Sequence, residues 1–193
     1  MLGLKLPTDP RWVGIVEMDL EEILTDHAYC EQKAATNAIS NIVRFPDYPE
    51  MVDAMVKICQ EEIAHFAQVH DELRKRGFKL GRERRDPYVL DLMGFIIKGG
   101  SRHEQFVDRM LFAAMIEARS CERFRLLSEG ISDPELRRFY RELMESEAGH
   151  YRIFIGFARK YANGIDVNKR WQEFLDFEAS LTQKYCKRQT IHG

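Results

Sequence analysis

The sequence predicts an all-α fold, a bundle of long helices with additional short and C-terminal helices. Three observations lead there. Apolar residues recur at steps of three and four through most of the chain, and strand-like alternation is nearly absent. Turn and breaker residues, among them Pro46 and Pro49, Gly77 and Gly99-Gly100, separate the periodic stretches. The two halves of the chain also repeat one another. At 193 residues, a single compact domain over residues 1–193, large enough to enclose a cofactor, is the natural expectation.

The elements follow in order. A first long helix is predicted from about Asp19 to Val43, then a turn containing Pro46 and Pro49. A second helix runs to about Arg76 and stops near Gly77, because glycine adopts the left-handed conformation that ends helices. A polar connection, residues 77–87, leads to a short helix from Tyr88 to Lys98, broken by Gly99-Gly100. The third long helix extends from about Glu104 to Glu129. The fourth begins after Ser132 and ends near Asn163-Gly164, and a last helix spans Asn168 to Lys187.

Asp47-Tyr48-Pro49-Glu50 and Ser132-Asp133-Pro134-Glu135 both resemble capping-box helix starts. Glu62 lies thirteen positions after Pro49, and Glu147 thirteen after Pro134. Glu31 precedes Glu62 by 31 positions and Glu117 precedes Glu147 by 30. Each half is therefore a helix carrying one Glu, a short turn, and a helix carrying Glu-x-x-His: Glu62 with His65, and Glu147 with His150.

Glu-x-x-His puts a carboxylate and an imidazole about one helical turn apart on one face. With 19 Glu and 6 His, chance alone yields roughly 0.6 such pairs, so one pair would carry little weight. Two pairs, each in register with its own upstream Glu, match the ligand pattern of dinuclear carboxylate bundles. That pattern makes the predicted fold a ferritin-like four-helix bundle. Glu31, Glu62, His65, Glu117, Glu147 and His150 are the candidate metal ligands.

The helical faces agree. Glu31 shares its stripe with Leu24, Ala28, Ala34, Ala35 and Ala38; Glu62 with Met55, Ile58 and Phe66; Glu117 with Met110, Ala113 and Phe124; Glu147 with Tyr140, Leu143 and Phe154. By contrast, Glu145 lies with Arg138, Arg141 and Arg152, and Glu122 with Arg119 and Arg125, as solvated or ion-paired positions do. His27, one turn before Glu31, reads as a hydrogen-bonded core histidine behind the ligands.

Four carboxylates converging in a dry core repel one another, and two divalent cations balance their charge. Oxygen and imidazole donors without thiolate suit iron or manganese. Four Glu and two His also leave coordination positions open for dioxygen and water. Small residues at Ala34, Ala35, Ala38, Ala113 and Ala114 leave space for a substrate. Iron storage, peroxide reduction and oxygenation are all compatible with such a site. The rubrerythrin type of peroxide scavenger usually adds paired C-x-x-C motifs, which this sequence lacks.

The rest of the composition narrows the setting. The net charge of -2 argues against a generally basic nucleic-acid binder. Cys30, Cys59, Cys121 and Cys186 are dispersed and read as free thiols in a reducing cytoplasm, the first three as small core residues. Residues 1–11 lack the apolar region of a signal peptide, and no apolar run reaches membrane-spanning length.

Ile116-Glu117-Ala118-Arg119-Ser120-Cys121-Glu122-Arg123-Phe124, together with Glu62-Ile63-Ala64-His65-Phe66 and Glu147-Ala148-Gly149-His150-Tyr151, closely resembles the bacterial tRNA hydroxylase family MiaE. The resemblance extends from about Trp12 to the last helix. It implies that the six candidate residues hold two iron ions. It further implies oxygen-dependent hydroxylation of the isopentenyl group on a hypermodified adenosine beside the tRNA anticodon. Dioxygen would be the co-substrate. An external electron donor is implied as well, since no flavin or nicotinamide fingerprint is present. A monomer or small oligomer is expected, whereas a storage protein would form a large shell.

One stretch offers a surface for RNA. Arg74, Lys75, Arg76, Lys79, Arg82, Arg84 and Arg85 occur against only Glu83 and Asp86. Such a segment can meet phosphates, with Phe78 or Tyr88 placed to stack on a base. Arg137, Arg138 and Arg141 form a second cluster, but Glu142 and Glu145 lie beside it, which favours ordinary surface pairing.

Overall fold

The computed structural model describes residues 2–185 and 190–192. Cys186 and the predicted end of the last helix at Lys187 lie outside them. Among the described residues there are seven helices and no strand: α1 (Trp12–Glu17), α2 (Leu20–Arg44), α3 (Pro49–Lys75), α4 (Pro87–Gly94), α5 (Arg102–Gly130), α6 (Pro134–Lys160) and α7 (Val167–Tyr185). None of them is long and apolar enough to cross a membrane. The chain divides into two compact units. One is built on residues 15–85, and the other on the N-terminal residues through Gly14 and the chain from Asp86 onward.

The first unit is the α2–α3 hairpin. Asp19 caps α2 by accepting a hydrogen bond from the Glu22 amide, and Glu21 and Glu22 place negative charge at the positive end of the helix dipole. The buried side of α2 carries Leu24, Ala28, Ala35 and Ala38; that of α3 carries Met51, Met55, Ile58 and Val69. Pro49 stands in the first turn of α3, where its missing N–H costs nothing, but no side chain caps this helix. The capping-box reading of Asp47 to Glu50 is thus not realised. The other end of α3 is as predicted. Gly77 takes φ +75°, and the Phe78 and Gly77 amides return to the carbonyls of Leu73 and Arg74, closing a Schellman motif.

The chain then lies back along α2. Tyr29 donates to the Gly81 carbonyl at 2.9 Å, and the Gly81 amide donates to Thr25 Oγ1 at 3.3 Å. A Cβ at Gly81 would sit 3.2 Å from Thr25 Cγ2, so only glycine fits without displacing that side chain.

The second unit is built on the α5–α6 hairpin. Ser101 and Glu104 form a complete capping box, so α5 begins two residues before the predicted Glu104. Most of α5 is buried on every side, which makes it the central element of this unit. Asp133 caps α6 through the amides of Glu135 and Leu136. Phe124 packs against Tyr140, and Phe106 edge-on against Tyr161.

Two elements differ from expectation. The short helix ends at Gly94 rather than Lys98 because tertiary partners take its backbone. Arg170 of α7 donates to the Phe95 carbonyl and pairs with Asp108, and Asp108 accepts from the Ile97 amide at 2.8 Å. Helix α1 has no counterpart among the predicted elements. Its six residues are too few for a periodic signal, and it is anchored by Trp12, buried beneath the Arg123 guanidinium.

Candidate metal centre

Each unit gathers its own three candidates. In the first, Glu31 from α2 meets Glu62 and His65 from α3, with one potential ligand atom from each lying within 4.8 Å of the others. His65 Nδ1 is 3.3 Å from Glu62 and 3.8 Å from Glu31. In the second, Glu117 from α5 meets Glu147 and His150 from α6 within the same limit. Here His150 Nδ1 is 4.0 Å from Glu147. The two hairpins thus repeat one construction, in keeping with the spacing of the sequence. All six residues are at most 8% exposed.

The chemistry of each triad suits a divalent cation. Two carboxylates and an imidazole supply oxygen and nitrogen donors from packed helices, and no thiolate is among them. Packing two carboxylates out of water is costly unless a cation accompanies them. His27 stands behind the first triad. It is fully buried, and its Nε2 lies 2.6 Å from Glu31 Oε1, which fixes the orientation of that carboxylate. This is the core role expected for it.

Cys121, one turn beyond Glu117, is in neither group of potential ligands. Its thiol lies 3.5 Å from the Met144 carbonyl. Burial, and then the nearby Glu147 carboxylate, push its pKa up to about 11. Cys30 and Cys59 are only half buried, so the core reading holds fully for Cys121 alone.

The comparisons with known proteins agree with this geometry. Residues 2–193 match the family model described as tRNA-(MS[2]IO[6]A)-hydroxylase (MiaE). The chain belongs to the MiaE family. A relative from Pseudomonas putida, named tRNA 2-(methylsulfanyl)-N(6)-isopentenyladenosine(37) hydroxylase, is 35% identical over 98% of this chain and 91% of its own. A Salmonella typhimurium protein of the same name is 26% identical over 92% of this chain and 83% of its own. Among solved structures, a Synechococcus protein with aldehyde deformylating oxygenase activity superposes with a TM-score of 0.91. It is 32% identical, with 98% of this chain and 95% of that one covered. The fold is accordingly ferritin-like, and with the buried Glu and His side chains it points to iron.

The stretch of α5 from Ile116 to Phe124 holds a second construction, which the sequence reading missed. Arg119 and Glu122 are ion-paired, one of the two states expected of them, but they are not solvated. Both are buried, as is Arg123. Arg119 donates to Glu178 of α7 at 2.6 and 2.9 Å, to Glu122 at 2.9 Å, to Thr182, and to the Leu6 carbonyl. Glu122 accepts from the Thr8 amide and hydroxyl, and Tyr88 donates to Glu178 at 3.0 Å. Burial alone would lower the Arg119 pKa, but Glu178, Tyr88 and Glu122 outweigh it and hold the guanidinium charged. The same network buries Tyr88 completely, so this ring is not the one to stack on RNA. The only signal in sequence was the (i, i+3) spacing of Arg119 and Glu122, which fits exposed pairs equally well.

The basic segment is also more neutral than its composition suggests. Arg74 pairs with Asp71, Lys75 and Arg76 with Glu72, and Arg84 with Glu22. Lys79, Arg82 and Arg85 are exposed.

Proposed function

We propose that the protein hydroxylates the isopentenyl group of the modified adenosine at position 37 of tRNA. Two iron ions would be held by Glu31, Glu62, His65, Glu117, Glu147 and His150. The observation that carries this reading is the complete, repeated Glu and Glu-x-x-His set within a chain that the MiaE family matches from residue 2 to residue 193. In this reading residues 1–193 make up one domain, and each triad supplies the ligands for an ion.

When bound, the iron pair supplies the activation of dioxygen. The reaction inserts one oxygen atom into a C–H bond of the prenyl group and reduces the other to water. It takes two electrons and two protons, so an external electron donor is required. The chain's own side chains set the geometry. Helices α2, α3, α5 and α6 fix the direction of each donor, His27 orients Glu31, and the apolar stripes around the carboxylates exclude water. A substrate in tRNA places the enzyme in the cytoplasm, and a monomer or small oligomer leaves room for an RNA to approach.

The decisive assay incubates prenylated tRNA with iron-loaded protein, dioxygen and a chemical reductant, and analyses the nucleosides by mass spectrometry. The expected result is gain of one oxygen atom on the prenylated adenosine. An unhydroxylated prenyl group in the presence of fully iron-loaded protein would overturn the reading. Rapid turnover of peroxide would then indicate the scavenger. Turnover of an aldehyde would indicate the activity of the Synechococcus protein.

Lys79, Arg82 and Arg85 are the residues of the basic segment proposed to meet phosphate. Replacing all three with Ala should raise the KM for tRNA and leave iron content and kcat unchanged. The log–log salt dependence should become shallower by about 0.7 to 0.9 for each phosphate that is no longer neutralised. An unchanged KM and salt slope would move the RNA surface elsewhere.

A further inference from the structure

The buried face of α2 continues past Glu31 as a row of small side chains and ends on an amide. Ala35 and Ala38 are buried, and Asn41 follows on the same face with no solvent exposure. Neither the Nδ2 nor the Oδ1 atom of Asn41 has a hydrogen-bond partner. Side chains on a helix lean toward its N-terminus, so this amide lies over the turn of Ala38, on the side toward Glu31. Met51, Met55 and Ile58, buried on α3 of the same hairpin, carry no strong hydrogen-bonding group. A primary amide is costly to bury without partners. Here the donor and the acceptor both stand ready at the end of a row of methyl groups.

We infer that Asn41 reads the purine of the substrate, its amide pairing with N6–H and N7 of the prenylated adenine while the prenyl arm runs over Ala38 and Ala35 toward Glu31. The inference rests on the proposed hydroxylase reading, in which Glu31 holds iron. Asn41 is ten residues from Glu31, about 15 Å along the helix. That span accommodates an adenine edge, a five-carbon arm and the gap to a metal. The chemistry matches as well. An adenosine with isopentenyl on N6 keeps one N6 hydrogen, and N7 lies on the edge away from the 2-methylsulfanyl group named for the relatives. A carboxamide pairs with that donor and acceptor together. The pairing also accounts for Asn, whose carboxamide offers a donor and an acceptor side by side.

The test is a chemical double-mutant cycle on iron-loaded protein, with wild type and Asn41→Leu each assayed on two anticodon stem-loops. One stem-loop carries N6-isopentenyladenosine at position 37, and the other its 7-deaza counterpart. Asn41→Leu should bind as much iron as wild type and unfold at the same or a higher temperature. Its kcat/KM on the normal stem-loop should fall about tenfold to a hundredfold. The 7-deaza substrate should cost wild type a similar factor and cost Asn41→Leu almost nothing more. Equal kcat/KM for the two proteins, or an equal 7-deaza penalty in both, overturns the inference. So does a lowered unfolding temperature with unchanged kcat/KM, which marks Asn41 as a structural residue satisfied by internal water. Should Asn41→Leu fail to fold, Asn41→Ala takes its place. Hydroxylation by wild type that Asn41→Leu matches defeats this inference alone, whereas no hydroxylation by wild type defeats the hydroxylase reading beneath it.

Discussion

Glu117→Ala should reduce hydroxylation to the level of iron-free protein and lower the iron bound per chain. Glu117 is buried beside Glu147 and His150, and its loss cuts that unit's donor set from three side chains to two. Two donors do not hold a divalent ion against water. The effect on stability has the opposite sign in the two metal states. Without iron, the substitution removes one of two adjacent buried carboxylates and should leave the unfolding temperature equal or higher. With ferrous iron under anaerobic conditions at about a hundred times its Kd, the ion of the Glu117 triad adds about 2.7 kcal/mol to wild type. For a chain of this length that is a rise of about 5 to 10 °C, most of which the variant should lose. Iron analysis and thermal scans with and without ferrous iron measure both. A variant with full iron content and full activity would remove Glu117 from the ligand set.

The clustering of the candidate ligands was legible in the sequence because it rests on local, periodic constraints. The pairs Glu62 with His65 and Glu147 with His150 are fixed by helix geometry alone, and their partners Glu31 and Glu117 by the length of a hairpin. The end of α3 at Gly77 was legible for the same reason, since a Schellman motif involves neighbours only. The Ser101 and Glu104 capping box is equally local, and it sets the start of α5 two residues ahead of the apolar periodicity.

What escaped the sequence reading depends on partners far along the chain. The early end of α4 is set by Asp108 and Arg170, and the burial of Tyr88 by Glu178, ninety positions away. Asn41 shows the same limit from another side. On sequence it is one polar residue near a helix end, and it becomes informative only once its burial and its empty hydrogen-bond positions are known. Periodicity reports which face a residue occupies, but not what stands opposite.

Arg119→Met should lower the unfolding temperature by about 6 to 20 °C, corresponding to about 3 to 5 kcal/mol for breaking a buried ion pair in a chain of this size. Arg119 is fully buried and donates to Glu178 and Glu122, so its removal leaves two buried carboxylates without that cation. The cost should shrink in the double variant Arg119→Met, Glu178→Leu, because the second change removes one of the stranded charges. Iron content per folded chain should stay the same. Residues two apart on a helix do not share a face, so Glu117 and Arg119 point to different sides of α5. The stretch from Ile116 to Phe124 therefore serves two purposes on one helix. Glu117 offers a carboxylate for metal, while Arg119, Glu122 and Arg123 fasten α5 to residues 6–12, to Tyr88 of α4 and to α7. An equal loss of iron and of stability in Arg119→Met would contradict that division. Loss of stability alone would mean that Arg119 serves to hold the ligand-bearing helix rather than the chemistry.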